Sequence, residues 1–437
     1  MFNQGPTPRY SAINPSFFAN NRSQLGQLLP PKAIAVLHAN DLMPSNADAH
    51  HPFVQQSDFF YLTGIQQEES VLVLFPDATS PKERILLFIN EATPEKLIWE
   101  GAKHTAATAT ACSGIAEVHP LSSFKQVLKQ LMREATHLYL YSNEHYRADV
   151  VVEGRNERFI RYCQRTYPLH QYGRLCPLME QLRMVKSPIE IEMIQKACKI
   201  THKGFLSLLK ATKPGVMEYA LEGDLSATYL KNGADGFAYT PIVASGPNSC
   251  ILHYIENNQQ CQAGDLLLVD SGAAYGHYCS DLTRTIPISG QFTPRQKKVY
   301  RAVLAVMEGA KKLLQVGTYL PDYEAAVGKL MEAELCKLGL LTTEEIKRQN
   351  PKQPAYKKYF MHGTSHHLGL DTHDLADLKR KLEVNMVLTV EPGIYIPAEG
   401  IGIRLENNVV IKEDGVMDLM KDIPLDPDEI EAYMQEG

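Results

Sequence analysis

The chain has 437 residues, of which 44% are hydrophobic and 22% charged, and a formal net charge of −6. Its length exceeds one compact domain and points to two. The charge balance argues against a broad basic surface for nucleic acid, and no apolar run approaches the roughly 20 residues of a membrane span.

Residues 1–10 are polar and contain proline, without the apolar core of a signal peptide. Eight cysteines are scattered with no Cys-x-x-Cys pair, which reads as reduced thiols in a cytoplasmic protein. Residues 1–175 read as an N-terminal α/β domain. A helix is expected over 16–29, β-type runs at 33–37, 59–62, 71–75 and 85–89, a helix at 124–135, a strand at 138–141 and a helix at 157–167. This alternation predicts a mixed sheet with helices packed on it. No Gly-x-Gly-x-x-Gly or Walker A sequence supports nucleotide binding. Trp99, the only tryptophan, is expected in the core or at a domain interface; the alternative is a flap or subunit contact over a pocket.

Residues 176–437 read as the second domain, with 168–186 as the linker region. Ser187-Pro188-Ile189-Glu190 is a capping box with proline at the first helical position, predicting a helix to about residue 209. A second helix is expected over 217–231, then a strand entering a turn at 239–246. Thr293-Pro294-Arg295-Gln296 opens another helix to about residue 315, followed by one over 323–338 and a polar surface excursion at 342–359. A short acidic tail closes the chain.

Two stretches of this domain echo each other. Leu268-Val269-Asp270-Ser271-Gly272 returns through Tyr278-Cys279-Ser280-Asp281, and Thr389-Val390-Glu391-Pro392-Gly393 returns through Arg404-Leu405-Glu406. Both have the pattern of a hairpin. A loop at Tyr275-Gly276 would set Asp270 opposite Asp281, and a turn centred on Ala398-Glu399 would set Glu391 opposite Glu406. Like charges in such positions destabilise a sheet, at roughly 4 kcal/mol for 4 Å and an effective dielectric of 20. Cations are the economical remedy, and hard divalent ions suit oxygen ligands. Between the hairpins lies His362-Gly363-Thr364-Ser365-His366-His367, with His373 following. The set reads as a site for two metal ions, in two pseudo-symmetric halves.

Two ions among four carboxylates suit metal-assisted hydrolysis, with a glutamate shuttling the proton and histidines stabilising an oxyanion. His362-x-x-x-His366 makes only half of a zincin motif, because glycine stands where the glutamate is required, and no Gly-x-Ser-x-Gly occurs.

These residues, with Ile251-Leu252-His253-Tyr254, the Ser280-Asp281-Leu282-Thr283-Arg284 return and the run from His362 to Asp374, resemble the pita-bread metallopeptidases. The match is strongest to the aminopeptidase P group, and Ser57-Asp58-Phe59-Phe60-Tyr61-Leu62-Thr63-Gly64 looks like the N-terminal domain of its two-domain members. The implied fold class is α/β (α+β): an N-terminal mixed-sheet domain followed by a pseudo-symmetric pita-bread catalytic domain. The resemblance implies hydrolysis of the N-terminal Xaa-Pro bond by a hydroxide between two divalent ions, most often Mn2+, with Co2+ or Zn2+ as substitutes. It implies Asp270, Asp281, His366, Glu391 and Glu406 as metal ligands, with Glu391 also handling the proton. His253, His362 and His373 would contact substrate and stabilise the intermediate, and Arg404 would support Glu406. A homodimer or homotetramer is expected. The alternative on the same scaffold is prolidase, which cuts Xaa-Pro dipeptides; Ser365 before His366 looks more like aminopeptidase P. Two departures, His367 where tryptophan is common and a short segment at 374–384 without the usual glycine-rich loop, fall near the expected pocket.

Overall fold

The computed structural model describes residues 5–90, 93–148 and 151–435; the first four residues of the polar N-terminal stretch and the last two of the acidic tail lie outside them. The chain divides into two compact units, Met1–Arg183 and Met184–Gly437. Among the described residues no helix is long and apolar enough to cross a membrane, and all eight cysteines are free.

The first unit is built on a six-stranded mixed sheet. Its order is Glu117–Pro120, Ile85–Ile89, Val71–Leu74, Ala33–His38, His137–Leu140 and Gln171–Arg174. Val71–Leu74 runs antiparallel to both neighbours, and the other pairs are parallel. The central strands are buried along their length, as sheets covered on both faces require. Helices Phe124–Leu131 and Arg155–Thr166 cover one face, where Phe88, Phe124, Leu128 and Phe159 join the core.

Three expectations fail here. Residues 59–62 are helical, within Ser57–Thr63, not a strand. Gln56 caps that helix by accepting from Phe59 N–H, and Gly64 ends it with φ 68°. Every residue of 58–63 is buried, and such a short apolar run carries no periodicity to separate helix from strand. The expected linker holds a strand, Gln171–Arg174, and a helix, Cys176–Arg183. Buried Arg183 donates to Asp58 at 2.6 Å, which ties that helix into the first unit. Trp99 lies on Pro94–Glu100 and is 83% exposed, so it is not a core residue.

The second unit repeats a pattern: a packed helix pair followed by antiparallel ribbons. Pro188–Ala211 packs on Glu218–Lys231, and Pro294–Leu313 on Leu320–Lys337. The sequence-predicted capping boxes at Ser187/Glu190 and Thr293/Gln296 both form, satisfying N–H groups that the first helical turn leaves open. The excursion at 342–359 holds a short helix, Thr343–Arg348, with no buried residue.

The ribbons carry the acids. Leu266–Asp270 pairs with Thr283–Pro287, placing Asp270 opposite Thr283. Asp281 is therefore a diagonal neighbour and not the directly opposed residue. The loop is Gly276-His277, one residue later than expected, with φ 56° and 67°. Two successive positive φ values define a tight two-residue hairpin turn, and Gly276 adopts the first of them without a Cβ penalty. The resulting two-residue shift in pairing leaves both acids on one face.

In the second ribbon Val390 faces Asn407, and Gly393 faces Arg404. Glu391 and Glu406 hold opposite positions in the break between those ladders, the register that the Ala398-Glu399 turn predicts.

The two ribbons are fastened to each other. Glu406 N–H donates to Thr283 C=O at 3.0 Å, and Asn408 bonds both the N–H and C=O of Asp281. Fully buried Arg284 donates to the carbonyls of Thr283, Glu406 and Pro424 and to Asn407 Oδ1. Gly272 permits the closest approach: a Cβ there would stand 1.7 Å from Ser280 C=O.

Candidate metal centre

Asp281, His366 and Glu406, all buried, offer one ligand atom each within 4.8 Å of one another. Glu391 Oε1 lies 3.4 Å from His366 Nε2, and Asp281 Oδ2 lies 3.5 Å from the same nitrogen. Asp270 joins through Tyr239, whose hydroxyl sits 2.5 Å from Asp270 Oδ1 and 2.5 Å from Asp281 Oδ1. The structure thus gathers all five residues named as ligand candidates.

His366 has a geometry that suits a metal ligand. Its Nδ1 lies 2.9 Å from His367 C=O, which can only accept. Nδ1 therefore carries the proton, and in the neutral ring Nε2 presents its lone pair to the acids. The His366 ring stands edge-on to that of His373 at 4.4 Å.

The carboxylates are poorly neutralised. Burial, then the proximity of Asp281, Glu391 and Asp270, pushes Glu406 well above the usual carboxylate range. Burial pushes Glu391 up to about 7, with Asp281 and Asp270 adding to it against His366 and Arg404. Burial also raises Asp270, opposed by Arg404. Glu406 Oε2 accepts from the Thr283 hydroxyl at 2.7 Å, whereas Oε1 is buried with no hydrogen-bond partner among the described residues. An orphan carboxylate oxygen is costly, and its place among three more acids and a histidine lone pair fits divalent cations.

Arg404 spans the site: Nη2 donates to Asp270 Oδ2 at 2.6 Å, Nε to Thr283 Oγ1 at 3.1 Å and Nη1 to Tyr395 Oη at 2.8 Å. It reaches Glu406 through the Thr283 hydroxyl rather than directly. Tyr395 in turn donates to His362 Nε2 at 2.8 Å, because His362 Nδ1 is committed to Gly363 C=O. Burial, then Arg404, lowers the His362 pKa to about 3, which keeps that ring neutral. His253 and His373 are exposed.

Sequence reasoning missed Tyr239, Thr283, Tyr395 and Glu324. Thr283 could have been found once the ribbon register was fixed. Glu324, on the helix Leu320–Lys337, accepts from Thr364 N–H, Thr364 Oγ1 and Ser365 N–H. It holds the backbone that leads into His366, and nothing in its local sequence sets it apart.

Residues 192–413 match the model of metallopeptidase family M24, and residues 18–141 match that of the aminopeptidase P N-terminal domain. The chain belongs to metallopeptidase family M24. Within that family its full-length likeness is to aminopeptidase P. It is 35% identical to Xaa-Pro aminopeptidase of Escherichia coli, over 97% of this chain and 98% of the relative. It is 32% identical to human Xaa-Pro aminopeptidase 3, over 94% and 82%. The solved structure of E. coli aminopeptidase P with the inhibitor Pro-Leu matches with a TM-score of 0.86 at 35% identity, over 98% of this chain and 99% of that one. Proline aminopeptidase P II of Yersinia pestis matches at 0.87 and 32%, over 97% and 100%. The architecture is an N-terminal mixed-sheet domain and a pita-bread domain.

Proposed function

We propose that this chain is a metal-dependent aminopeptidase that removes the residue preceding proline at a peptide's N-terminus, with Asp270, Asp281, His366, Glu391 and Glu406 as its metal ligands. The single observation that carries the ligand set is the buried Oε1 of Glu406, unpartnered among the described residues and close to the charges of Asp281, Glu391 and Asp270. Two divalent ions there, Mn2+ being the first choice and Co2+ or Zn2+ substitutes, would acidify a water and polarise the scissile carbonyl.

The chain's own groups do the rest. Asp281 and Glu406 would be shared between the ions, Asp270 would hold one, and His366 and Glu391 would hold the other. Glu391, whose proton affinity in the metal-free site is poised near neutrality, takes the proton from the attacking water and passes it to the leaving proline nitrogen. His253 and His373 stand exposed where a peptide can reach them, and His362 lies 3.6 Å from Glu391 Oε2; these three contact the substrate and the developing oxyanion. Arg404 orients Asp270 and, through Thr283, Glu406. A Xaa-Pro bond lacks an N–H, so recognition rests on shape and on the free amino terminus. The enzyme works in the cytoplasm as a homodimer or homotetramer, testable by cell fractionation and light scattering.

The deciding experiment compares a Xaa-Pro-Xaa tripeptide with the Xaa-Pro dipeptide, using chelated protein resupplied with Mn2+, Co2+ or Zn2+. Metal-restored release of the first residue from the tripeptide is expected. Cleavage of the dipeptide alone would replace this reading with a prolidase.

A further inference from the structure

The first unit contains a cavity of about 570 Å³ at one edge of its mixed sheet, lined by His38, Lys125, Arg155 and Arg158 among others. It lies at the carboxyl end of the parallel strands. His38 is the last residue of Ala33–His38, and the helices that follow Glu117–Pro120 and His137–Leu140 begin at the same edge, supplying Lys125 and Arg155. In open α/β sheets this crevice is where ligands bind.

His38 is the second observation. It is 4% exposed, and among the described residues neither ring nitrogen has a hydrogen-bond partner. Its ring packs 4.4 Å from Phe159 and 5.7 Å from Phe124. Burial, then Arg155 and Arg158, lowers its pKa to about 3, so it is a neutral group with one donor and one acceptor unused. Unsatisfied buried polar groups are uncommon and invite a ligand. The cations around it are incompletely spent. Arg158 is paired with both oxygens of Asp41, but Arg155 stands 3.9 Å from Glu69, beyond hydrogen-bond range. Among the described residues Lys125 has no acidic partner; it lies 5.6 Å from the ring of Tyr162. Glu69 holds φ 56°, a left-handed conformation that non-glycine residues seldom adopt.

We propose that this cavity is a binding site for a small molecule that joins a planar apolar body to one anionic group, carboxylate or phosphate. The anion meets Lys125 and Arg155, the body lies along Phe124, Phe159 and Tyr162, and the polar edge of that body meets His38. Arginine matches both anions with paired donors, and aromatic walls with a few placed polar groups are the usual make-up of such sites.

The test titrates the full-length protein calorimetrically with phenyl phosphate, benzoate, phenol and inorganic phosphate. Saturable one-to-one binding of phenyl phosphate or benzoate is expected, and the tighter of the two identifies the anion. Lys125→Ala and Arg155→Ala, both at solvent-accessible positions, should each weaken it by about tenfold while Xaa-Pro-Xaa hydrolysis is unchanged. His38→Phe, which retains an aromatic ring in that packing, should weaken binding as well. No saturable binding of either probe would overturn the proposal. So would equal affinity for phenol, equal affinity for inorganic phosphate, or undiminished binding in both cation variants. The binding titrations do not depend on hydrolysis, so a wrong assignment of the metal ligands would leave their result intact.

Discussion

Arg404 Nη2 lies 2.6 Å from Asp270 Oδ2, although 134 positions separate the two residues. The bond crosses from one ribbon to the other and is the only ion pair that Asp270 makes among the described residues. Replacing Arg404 by glutamine should destabilise the metal-free protein by about 3 kcal/mol, because it strands a buried carboxylate. Urea unfolding of chelated wild type and variant measures this. Resupplying metal should recover part of the loss, and an unchanged midpoint would show the pair to be energetically idle.

Asp281→Ala should leave a folded protein with little bound metal. The loss of turnover should exceed the roughly 10–100-fold that follows removal of a partner one layer out from a metal ligand. Circular dichroism, metal analysis and tripeptide hydrolysis together read this out. Retained turnover would remove Asp281 from the site.

Glu324→Gln tests the support of the histidine segment. The amide keeps one acceptor oxygen but places an NH2 group where Oε2 accepts from Thr364 N–H and Oγ1, so the segment leading into His366 is held less firmly. Metal affinity or turnover should fall by about 10–100-fold with the fold retained. Equal affinity in the variant would assign Glu324 a purely structural role.

The pH dependence has a definite sign. Glu391 is raised to about 7 by burial, and burial also lifts Glu406 well above the usual carboxylate range. A carboxylate raised on folding stabilises the metal-free protein fully below its unfolded value, and that contribution is lost as pH rises through the folded value. Metal-free protein should therefore weaken between about pH 5 and pH 8, over the window those shifts define. Metal binds the deprotonated set, so loading near neutrality should release protons and affinity should fall on acidification. Calorimetry in two buffers of different ionisation enthalpy detects the release. Loading without proton release would contradict the raised values.

Gly272→Ala probes the first ribbon. With Ser280 C=O 1.7 Å from the added carbon, backbone must move. A loss of about 3 kcal/mol, the upper end for overpacking, is expected in thermal or urea unfolding, together with weaker metal binding as Asp270 and Asp281 separate. A variant as stable as wild type would show that the strands can yield at that point.

Much of the site was legible because its residues sit in local patterns. The turn at Ala398-Glu399 set the second ribbon's register, and Glu391 and Glu406 could be paired from it. The first ribbon was misjudged by one loop position, since Tyr275-Gly276 and Gly276-His277 are equally short and only the positive φ at both Gly276 and His277 separates them. The error did little harm, because a shift of two in pairing keeps side chains on their face. Tyr239 and Glu324 were invisible, since each acts through distant chain that no local period encodes. The apolar, aromatic content of Phe59-Phe60-Tyr61-Leu62 suggests a strand, but burial from all sides produces the same content in a helix. Trp99 is expected in the core or at a domain interface, yet its helix, Pro94–Glu100, buries none of its residues.

The fastening of Glu406 to Thr283 also orders events during synthesis. The last acid leaves the ribosome well after the first, and the pocket's charge cannot assemble until the two distant ribbons close on each other. A nascent or prematurely terminated chain lacking the final strands is thus expected to carry no hydrolytic power, so that a cell is spared an unfinished peptidase working among its newly made proteins.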